Sequence, residues 1–147
     1  MNAASTDDHR SSIWILFTAG VMGALGVLIG AIGAHGLEAF LLDSGLTPAR
    51  AAQRLAQFDV GARYHLVHAV ALLALAALPQ LSTAARWLAF GLFTMGIVLF
   101  SGSLYLLVLT DTTWLGAITP LGGIAWVAAW SAIAISALGG RPARMRD

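Results

Sequence analysis

Long uncharged apolar stretches dominate the chain and predict helices that cross a membrane. The stretches 13–34, 87–109 and 112–140 contain no Asp, Glu, Lys or Arg. Each is long enough for the roughly 20-residue helix that crosses a bilayer core of about 30 Å. A fourth apolar run, 66–78, is too short and must include polar residues back to Asp59. The pattern therefore predicts an all-α, four-helix transmembrane bundle. The predicted spans are 13–34, 59–78, 87–109 and 115–138.

The segment between the first two spans is too polar to cross a membrane and predicts an amphipathic interfacial helix. Residues 36–42 can form one short amphipathic turn, which the turn signal at 43–45 ends. Thr47 is then an N-cap, with Pro48 at the first helical position. The helix that follows rests on the membrane surface and turns into, or continues as, span two. Its apolar stripe is Ala51, Leu55, Phe58 and Ala62, and its polar face is Arg50, Gln53, Arg54 and Gln57.

The two ends of the chain are polar and fix the expected orientation. Residues 1–12 predict a disordered cytoplasmic tail, and residues 139–147 predict a basic cytoplasmic tail. With four spans, both ends and the second loop share one side, and the arginine bias places that side in the cytoplasm. The first apolar run is interpreted as a retained span, because it exceeds a signal-peptide core and Asp7 and Asp8 precede it. The arginines on this side are Arg10, Arg86, Arg141, Arg144 and Arg146.

Composition narrows the classes of function. The chain is 59% hydrophobic and 10% charged, with a net charge of +1, so the lipid bilayer is its expected partner and nucleic acid is not. It has no cysteine, which excludes disulfides and thiolate metal sites. The motifs HExxH, GxSxG, GxxxxGK[ST] and CxxC do not occur. We therefore expect no enzymatic activity and no cofactor.

Glycines form a stripe on span one. Gly23, Gly26, Gly30 and Gly33 fall within an arc of about 80° at 100° per residue. Gly26 and Gly30 also make a GxxxG pair, which lets helix backbones approach closely in lipid. The favoured interpretation is packing within the chain; the other is dimerisation through this face.

Pro120 early in the fourth span has two interpretations. It kinks the helix, because proline lacks the amide donor for the carbonyl four residues earlier. In the second interpretation Thr119 is an N-cap, Pro120 is the first helical residue, and residues 115–118 are an interfacial lead-in. We favour the second interpretation, because 120–138 is still 19 residues long.

Polar side chains gather in the non-cytoplasmic half of the predicted bundle. Tyr64 and His68 share a helix face at i, i+4, and so do Ser101 and Tyr105. His68 and Ser101 lie roughly 14 and 12 Å from the outer ends of their spans, so the two pairs meet if their helices face each other. If span two begins at Arg63, His68 is only about 8 Å deep. The candidate polar cluster is His35, Tyr64, His68, Ser101, Ser103, Tyr105 and Thr119.

This cluster has a structural and a functional interpretation. Polar side chains between membrane helices serve as packing contacts worth about 0.6–2 kcal/mol each. Ionisable residues inside a membrane also mark sites and pathways, and histidine binds metals or relays protons. His35, His65, His68 and Glu38 carry metal-ligating atoms, but their spacing is not diagnostic. We therefore expect no metal site.

Short sequence blocks in this region resemble a known family. GAIGAHGL from Gly30, the Tyr64-x3-His68 pair, LFSGSLY from Leu99 and TPLGG from Thr119 occur in that order. Together they resemble the YgdD-like family of small bacterial inner-membrane proteins, which is related to eukaryotic transmembrane protein 256.

The resemblance runs from about Gly20 to Ala137 and implies four membrane spans, with no established biochemical activity. His65 is not a motif position, since a glutamine is the familiar residue there, and Glu38 lies in a stretch that is often basic. Neither residue is therefore kept as a candidate. The residues on motif positions are His35, Tyr64, His68, Ser101, Ser103, Tyr105, Thr119 and Pro120.

Two functional hypotheses follow. The leading one is a non-enzymatic accessory, assembly or structural protein of the bacterial inner membrane, alone, as a homo-oligomer or in a larger membrane complex. In it the polar cluster fixes helix geometry. The alternative is a small-ligand binding or permeation protein that uses the cluster as its site.

Overall fold

The computed structural model describes residues 3–78 and 81–139, and these residues fold into helices joined by short turns, with no β-strand among them. The elements in chain order are α1 (Ala3–His35), α2 (Leu37–Asp43), α3 (Pro48–Ala76), α4 (Thr83–Gly96), a π-helical segment (Ile97–Gly102), α5 (Ser103–Thr110), a 3₁₀ turn (Thr113–Ala117) and α6 (Thr119–Gly139).

Four helical stretches in the described residues are long and apolar enough to cross a membrane. They are Ser11–His35, Pro48–Ala76, Thr83–Thr110 and Thr113–Leu138. The third joins α4, the π-helical segment and α5 without a break in the helix. This confirms the all-α transmembrane bundle, and each stretch contains most of one predicted span.

The segment between spans one and two follows the second predicted alternative, in which the amphipathic helix continues as span two. Thr47 accepts a hydrogen bond from the Arg50 amide, and Pro48 begins α3, as the sequence indicates. From there α3 continues without interruption to Ala76, because no proline follows Pro48 before its end. The short helix α2 comes before it and ends at a turn where Gly45 has φ +87°. Only glycine adopts such an angle without strain.

The first helix begins earlier than predicted. The sequence suggested a disordered tail over 1–12, but α1 is helical from Ala3. Arg86 explains the order near this end: its guanidinium donates to the hydroxyls of Ser11 and Ser12 and to the carbonyl of Leu78. Arg86 is only 2% exposed, so these bonds tie α1 to the connection between α3 and α4. Of the predicted basic tail 139–147, all but Gly139 lies outside the described residues.

The way in which the helices pack against one another determines where the candidate site lies. α1 packs mainly against α3, α3 also contacts α4, the π-helical segment and α5, and α6 packs against α4 and the π-helical segment. We call the end that carries α2 the α2 end, and the opposite end, where α1 begins and α6 finishes, the termini end. Between the helices lie two apolar cores, one centred on Leu72 and Phe93 and the other on Phe58 and Leu107.

An ion pair at the α2 end corrects the predicted polar face of α3. Arg54 was expected at the surface but is 2% exposed. Its Nε donates to the Asp111 carboxylate at 2.7 Å, Nη2 contacts the same carboxylate, and Nη1 donates to Gln57 at 2.7 Å. Arg50 also donates to Asp111, at 3.3 Å. Asp111 ends α5 with φ 49°, a left-handed angle that aspartate tolerates better than most residues. The ion pair therefore fixes the α5–α6 connection onto α3.

Candidate functional site

The π-helical segment Ile97–Gly102 lies at the centre of the candidate site. It packs between α3 and α6, near the middle of its span. A π-helical turn inserts an extra residue into an α-helix and is frequent at functional sites. Ser101 lies inside this segment, and Ser103 follows it directly. The sequence carries no proline or other signal that predicts the extra residue.

His68 is enclosed by aromatic rings. It is 4% exposed, and its imidazole lies parallel to the indole of Trp126, with ring centroids 3.7 Å apart. Its Nδ1 donates to the backbone carbonyl of Tyr64 at 2.8 Å, because a carbonyl oxygen can only accept. The rings of Phe93 and Tyr64 lie 5.8 and 6.2 Å away. One face of the imidazole is thus covered, and one nitrogen is bonded to its own helix.

Trp126 holds this arrangement together from α6. Its Nε1 donates to the carbonyl of Phe93 at 3.2 Å, and its ring also packs near Tyr64 and Phe100. A Cβ at Gly96 would overlap the indole, so glycine is required for the ring to reach α4. The spacing between His68 and Trp126 along the chain gives no signal of their contact.

Tyr105, which was predicted to meet His68 if the two helices face each other, is contacted by His65 instead. Its Nδ1 lies 3.2 Å from the hydroxyl of Tyr105, and its ring is 4% exposed. Gly61, one turn earlier on α3, lies against the Tyr105 ring, and a Cβ there would come within 3.1 Å of it. His65 was set aside because it is not a motif position. Its position on the buried stripe of α3, seven residues after Phe58, is the signal that could have identified it.

Ser103 and Thr119 form a hydrogen-bonded chain between α5 and α6. The two hydroxyl oxygens are 2.9 Å apart, and Ser103 Oγ lies 3.0 Å from the Phe100 carbonyl. Because the carbonyl only accepts, Ser103 donates to it and accepts from Thr119. This pair of hydroxyls therefore supplies a hydrogen-bond donor to the Phe100 carbonyl in the π-helical segment.

The Ser101 hydroxyl makes no such well-formed bond. Ser101 is 0% exposed, and its Oγ makes no hydrogen bond of standard geometry within the described residues, although the Tyr105 hydroxyl lies nearby. The Nε2 atom of His65 is buried and unpartnered in the same sense. A buried polar atom without a partner costs about 1–3 kcal/mol.

His35 is not joined to the other candidates by any polar contact within residues 3–78 and 81–139. It ends α1 at the surface and lines a cavity of about 460 Å³ that Glu38 also lines. No three His, Asp or Glu side chains of the described part of the chain come together as a metal site. His65 and His68 each have one ring nitrogen engaged within the bundle.

The predicted packing residues divide into two groups. Gly26 and Gly33 face α3, where a Cβ would come within 2.7 Å of Leu66 and 2.6 Å of Phe58 respectively. At Gly23 and Gly30 a Cβ would meet nothing within 4 Å. Of the GxxxG pair, only Gly26 therefore packs against another helix of the chain.

At the start of α6 the chain follows the favoured interpretation of Pro120 but not that of Thr119. The 3₁₀ turn Thr113–Ala117 leads in, and the helix begins at Thr119, so Pro120 lies in its first turn and does not kink it. Thr119 is itself helical, and its hydroxyl bonds to Ser103. Gly122, two residues after Pro120, lies against the backbone of Phe100, where no Cβ fits. This contact brings α6 close to the π-helical segment.

Fold and site define a small helical membrane protein with a polar and aromatic centre between its spans. A family model described as a protein of unknown function (DUF423) matches residues 29–123, and the chain belongs to that family. This confirms the resemblance seen in the sequence blocks.

Named relatives support the same assignment. The chain is 41% identical over 128 residues to the UPF0382 membrane protein YwdK of Bacillus subtilis strain 168, covering 80% of this chain and 94% of the relative. It is 32% identical over 130 residues to the UPF0382 inner membrane protein YgdD of Escherichia coli K12, covering 87% and 92%. A third relative, the UPF0382 membrane protein SH2409 of Staphylococcus haemolyticus, is 36% identical over 121 residues, covering 79% and 91%. No solved structure matches the chain.

Proposed function

We propose that this protein is a non-enzymatic accessory or assembly protein of the bacterial inner membrane. The observation that carries the proposal is that its central polar groups bond mostly to one another and to the backbone of neighbouring helices. His65 bonds to Tyr105, Ser103 to Thr119, and Trp126 to the carbonyl of Phe93. Each of these contacts joins two different helices.

The energetics of helix packing in lipid favour this structural role. In lipid there is little hydrophobic drive between helices, so packing and interhelical hydrogen bonds hold a bundle together. Each bond contributes about 0.6–2 kcal/mol, and close approaches such as Gly122 to Phe100 add dispersion contacts. A small membrane protein with a rigid centre is suited to hold or orient a partner in the bilayer.

The proposed orientation places both termini in the cytoplasm. Arg10 and Arg86 lie at the termini end, and Arg141, Arg144 and Arg146 follow α6 in the sequence. The α2 end carries three arginines, and two of them, Arg50 and Arg54, are neutralised in part by Asp111. The basic excess at the termini end supports a cytoplasmic position.

The test is an activity and transport screen with the purified full-length protein. Reconstituted vesicles are expected to show no proton or small-solute flux above empty vesicles, and His68→Ala is expected to change thermal stability only. Turnover or flux that depends on His68 would exclude an accessory role.

Ser101 supports a second candidate, a small-ligand binding or permeation site. A buried hydroxyl that makes no well-formed bond, inside a π-helical segment, is available to bond a polar ligand. His65 Nε2 is a second unpartnered atom of the same kind. If this candidate is right, Ser101→Ala abolishes ligand binding while the fold persists. If the accessory role is right, the same change raises the stability of the protein, and there is no ligand binding to lose.

A further inference from the structure

A groove follows one flank of the α1–α3 pair along the bundle. It consists of cavities of about 270, 370 and 510 Å³ that follow one another from the α2 end to the termini end. At 100° per residue, six of the α1 positions that line it fall within an arc of about 80°. These positions are Leu16, Gly20, Gly23, Val27, Gly30 and Ala34.

Three glycines in this groove are not explained by packing within the chain. A Cβ at Gly20, Gly23 or Gly30 would meet nothing within 4 Å. Glycine inside a helix costs about 1 kcal/mol relative to alanine, so these positions lose stability without a contact in return. Because these glycines have no side chain, the groove is deeper along this face of α1.

The groove changes character at the α2 end. There it joins the cavity of about 460 Å³ lined by His35 and Glu38, with which it shares Gly33 and Ala34. Asp59 lines the adjoining part of the groove. This polar cavity, which we call the mouth, is thus continuous with the apolar groove.

Charges at this mouth are unequal. Asp59 pairs with Arg63, so these two neutralise each other while both remain exposed. Glu38 is exposed and forms no ion pair within the described residues. The mouth therefore presents one uncompensated carboxylate, that of Glu38.

We propose that this groove binds a phospholipid with an amine-bearing headgroup, of the phosphatidylethanolamine type. The ammonium contacts Glu38, and an acyl chain runs along the glycines of α1. The part of the groove from Gly33 to Gly23 extends about 15 Å along the helix, half of a bilayer core of about 30 Å. That is the depth of one leaflet.

A lipid fits these features better than a partner helix does. Phosphatidylethanolamine has a headgroup with a cationic ammonium joined to apolar chains, in the order in which the Glu38 mouth and the groove are joined. A transmembrane helix needs no charged mouth at one end of its groove. The lipid site goes beyond the accessory role and does not depend on it.

Native mass spectrometry of the intact purified protein tests the proposal. The protein in detergent is incubated with equal amounts of phosphatidylethanolamine and phosphatidylglycerol, and the bound fraction of each is measured. We expect one phosphatidylethanolamine per chain, at least fivefold more occupied than phosphatidylglycerol.

Matched variants locate the site. Gly23→Leu and Gly30→Leu fill the groove and should lower phosphatidylethanolamine occupancy at least fivefold. Gly91→Leu is the control, because a Cβ at Gly91 on α4 also meets nothing within 4 Å. Glu38→Gln should remove the headgroup preference, whereas Asp43→Asn, another exposed acid of α2, should not.

Three results would overturn the proposal. Equal adducts in the groove variants and in Gly91→Leu would show adventitious lipid only. Equal binding of the two lipids by the unaltered protein would exclude headgroup recognition at Glu38. A dimer mass that Gly23→Leu dissolves would show that a second copy occupies the groove. Because Glu38 is exposed, Glu38→Gln keeps the headgroup test available if a leucine variant fails to fold.

Discussion

The imidazole of His68 lies flat on the indole of Trp126, with ring centroids 3.7 Å apart and planes 2° apart. This stack joins α3 to α6, and the bond from Trp126 to the Phe93 carbonyl extends it to α4. Three spans therefore depend on one side chain. Trp126 is 4% exposed, whereas Trp130, one turn later, is 50% exposed.

Replacing Trp126 should destabilise the bundle strongly. Trp126→Leu removes the stack and a hydrogen bond and leaves a cavity, so we expect a loss of about 3 kcal/mol, as for large-to-small core substitutions. Trp130→Leu is the matched control and should cost less than about 1 kcal/mol. Unfolding by SDS titration of the protein in detergent micelles measures both. Equal losses would show that the stack does not join the helices.

Close helix approach predicts the effect of alanine at three glycines. Gly96→Ala and Gly122→Ala force a Cβ into the Trp126 ring and the Phe100 backbone, and should each cost about 1–3 kcal/mol. Gly91→Ala meets no neighbour and should be neutral or stabilising. Thermal unfolding followed by size-exclusion chromatography distinguishes the three. A tolerated Gly122→Ala would mean that α6 lies farther from the π-helical segment.

The two serines beside the π-helical turn should respond in opposite directions. Ser101→Ala removes a buried hydroxyl that makes no well-formed bond and should stabilise the protein by about 1 kcal/mol. Ser103→Ala breaks the bonds to Thr119 and the Phe100 carbonyl and should destabilise it by about 1 kcal/mol. SDS titration of both variants checks the signs. Loss of stability in Ser101→Ala would show that its hydroxyl has a partner.

Acid should weaken the contact between Asp111 and Arg54. The hydrogen bond from Arg54, with Arg50 adding to it, lowers the pKa of the Asp111 carboxyl below its usual value. The stability that this pairing contributes is therefore present above the ordinary aspartate pKa of about 4 and is lost as pH falls through the lowered folded value. Melting temperature measured from pH 6 to pH 3 should fall more for the unaltered protein than for Asp111→Asn.

The Asp111→Asn variant should also be less stable at neutral pH, because it leaves the buried guanidinium of Arg54 without its counter-charge. Asp59→Asn is the control, since Asp59 and Arg63 are both exposed and such pairs contribute little. If the two variants melt alike, the pair at Arg54 does not fix the α5–α6 connection.

Cysteine accessibility tests the orientation. The chain has no cysteine, so single substitutions give a clean background. Asp43→Cys at the α2 end should react with a membrane-impermeant maleimide in intact spheroplasts, and Arg144→Cys should react only after lysis. The reverse pattern would place both termini outside the cytoplasm.

Local sequence signals predicted the helix boundaries that depend on single residues. Thr47 and Pro48 begin α3, Gly45 forms the turn before it, and Pro120 lies in the first turn of α6. These features depend on neighbouring residues alone. Four apolar stretches likewise sufficed for the fold class.

Contacts between helices could not be predicted from spacing. His65 and His68 both lie on α3, and only the rotation of the helix brings His65 to Tyr105 and His68 to Trp126. The π-helical segment changes that rotation on the opposing helix and has no sequence signal. Arg54 was placed at the surface because its partner Asp111 is 57 residues away in the chain.

Native mass spectrometry of the protein extracted gently from its own membranes tests the central claim most directly. An accessory protein should carry a stable partner subunit and no small-molecule adduct that depends on His68 or Ser101. The contradicting result is a reproducible non-lipid adduct that disappears in His68→Ala or Ser101→Ala while the variant remains folded. That result would make the centre of the bundle a ligand site.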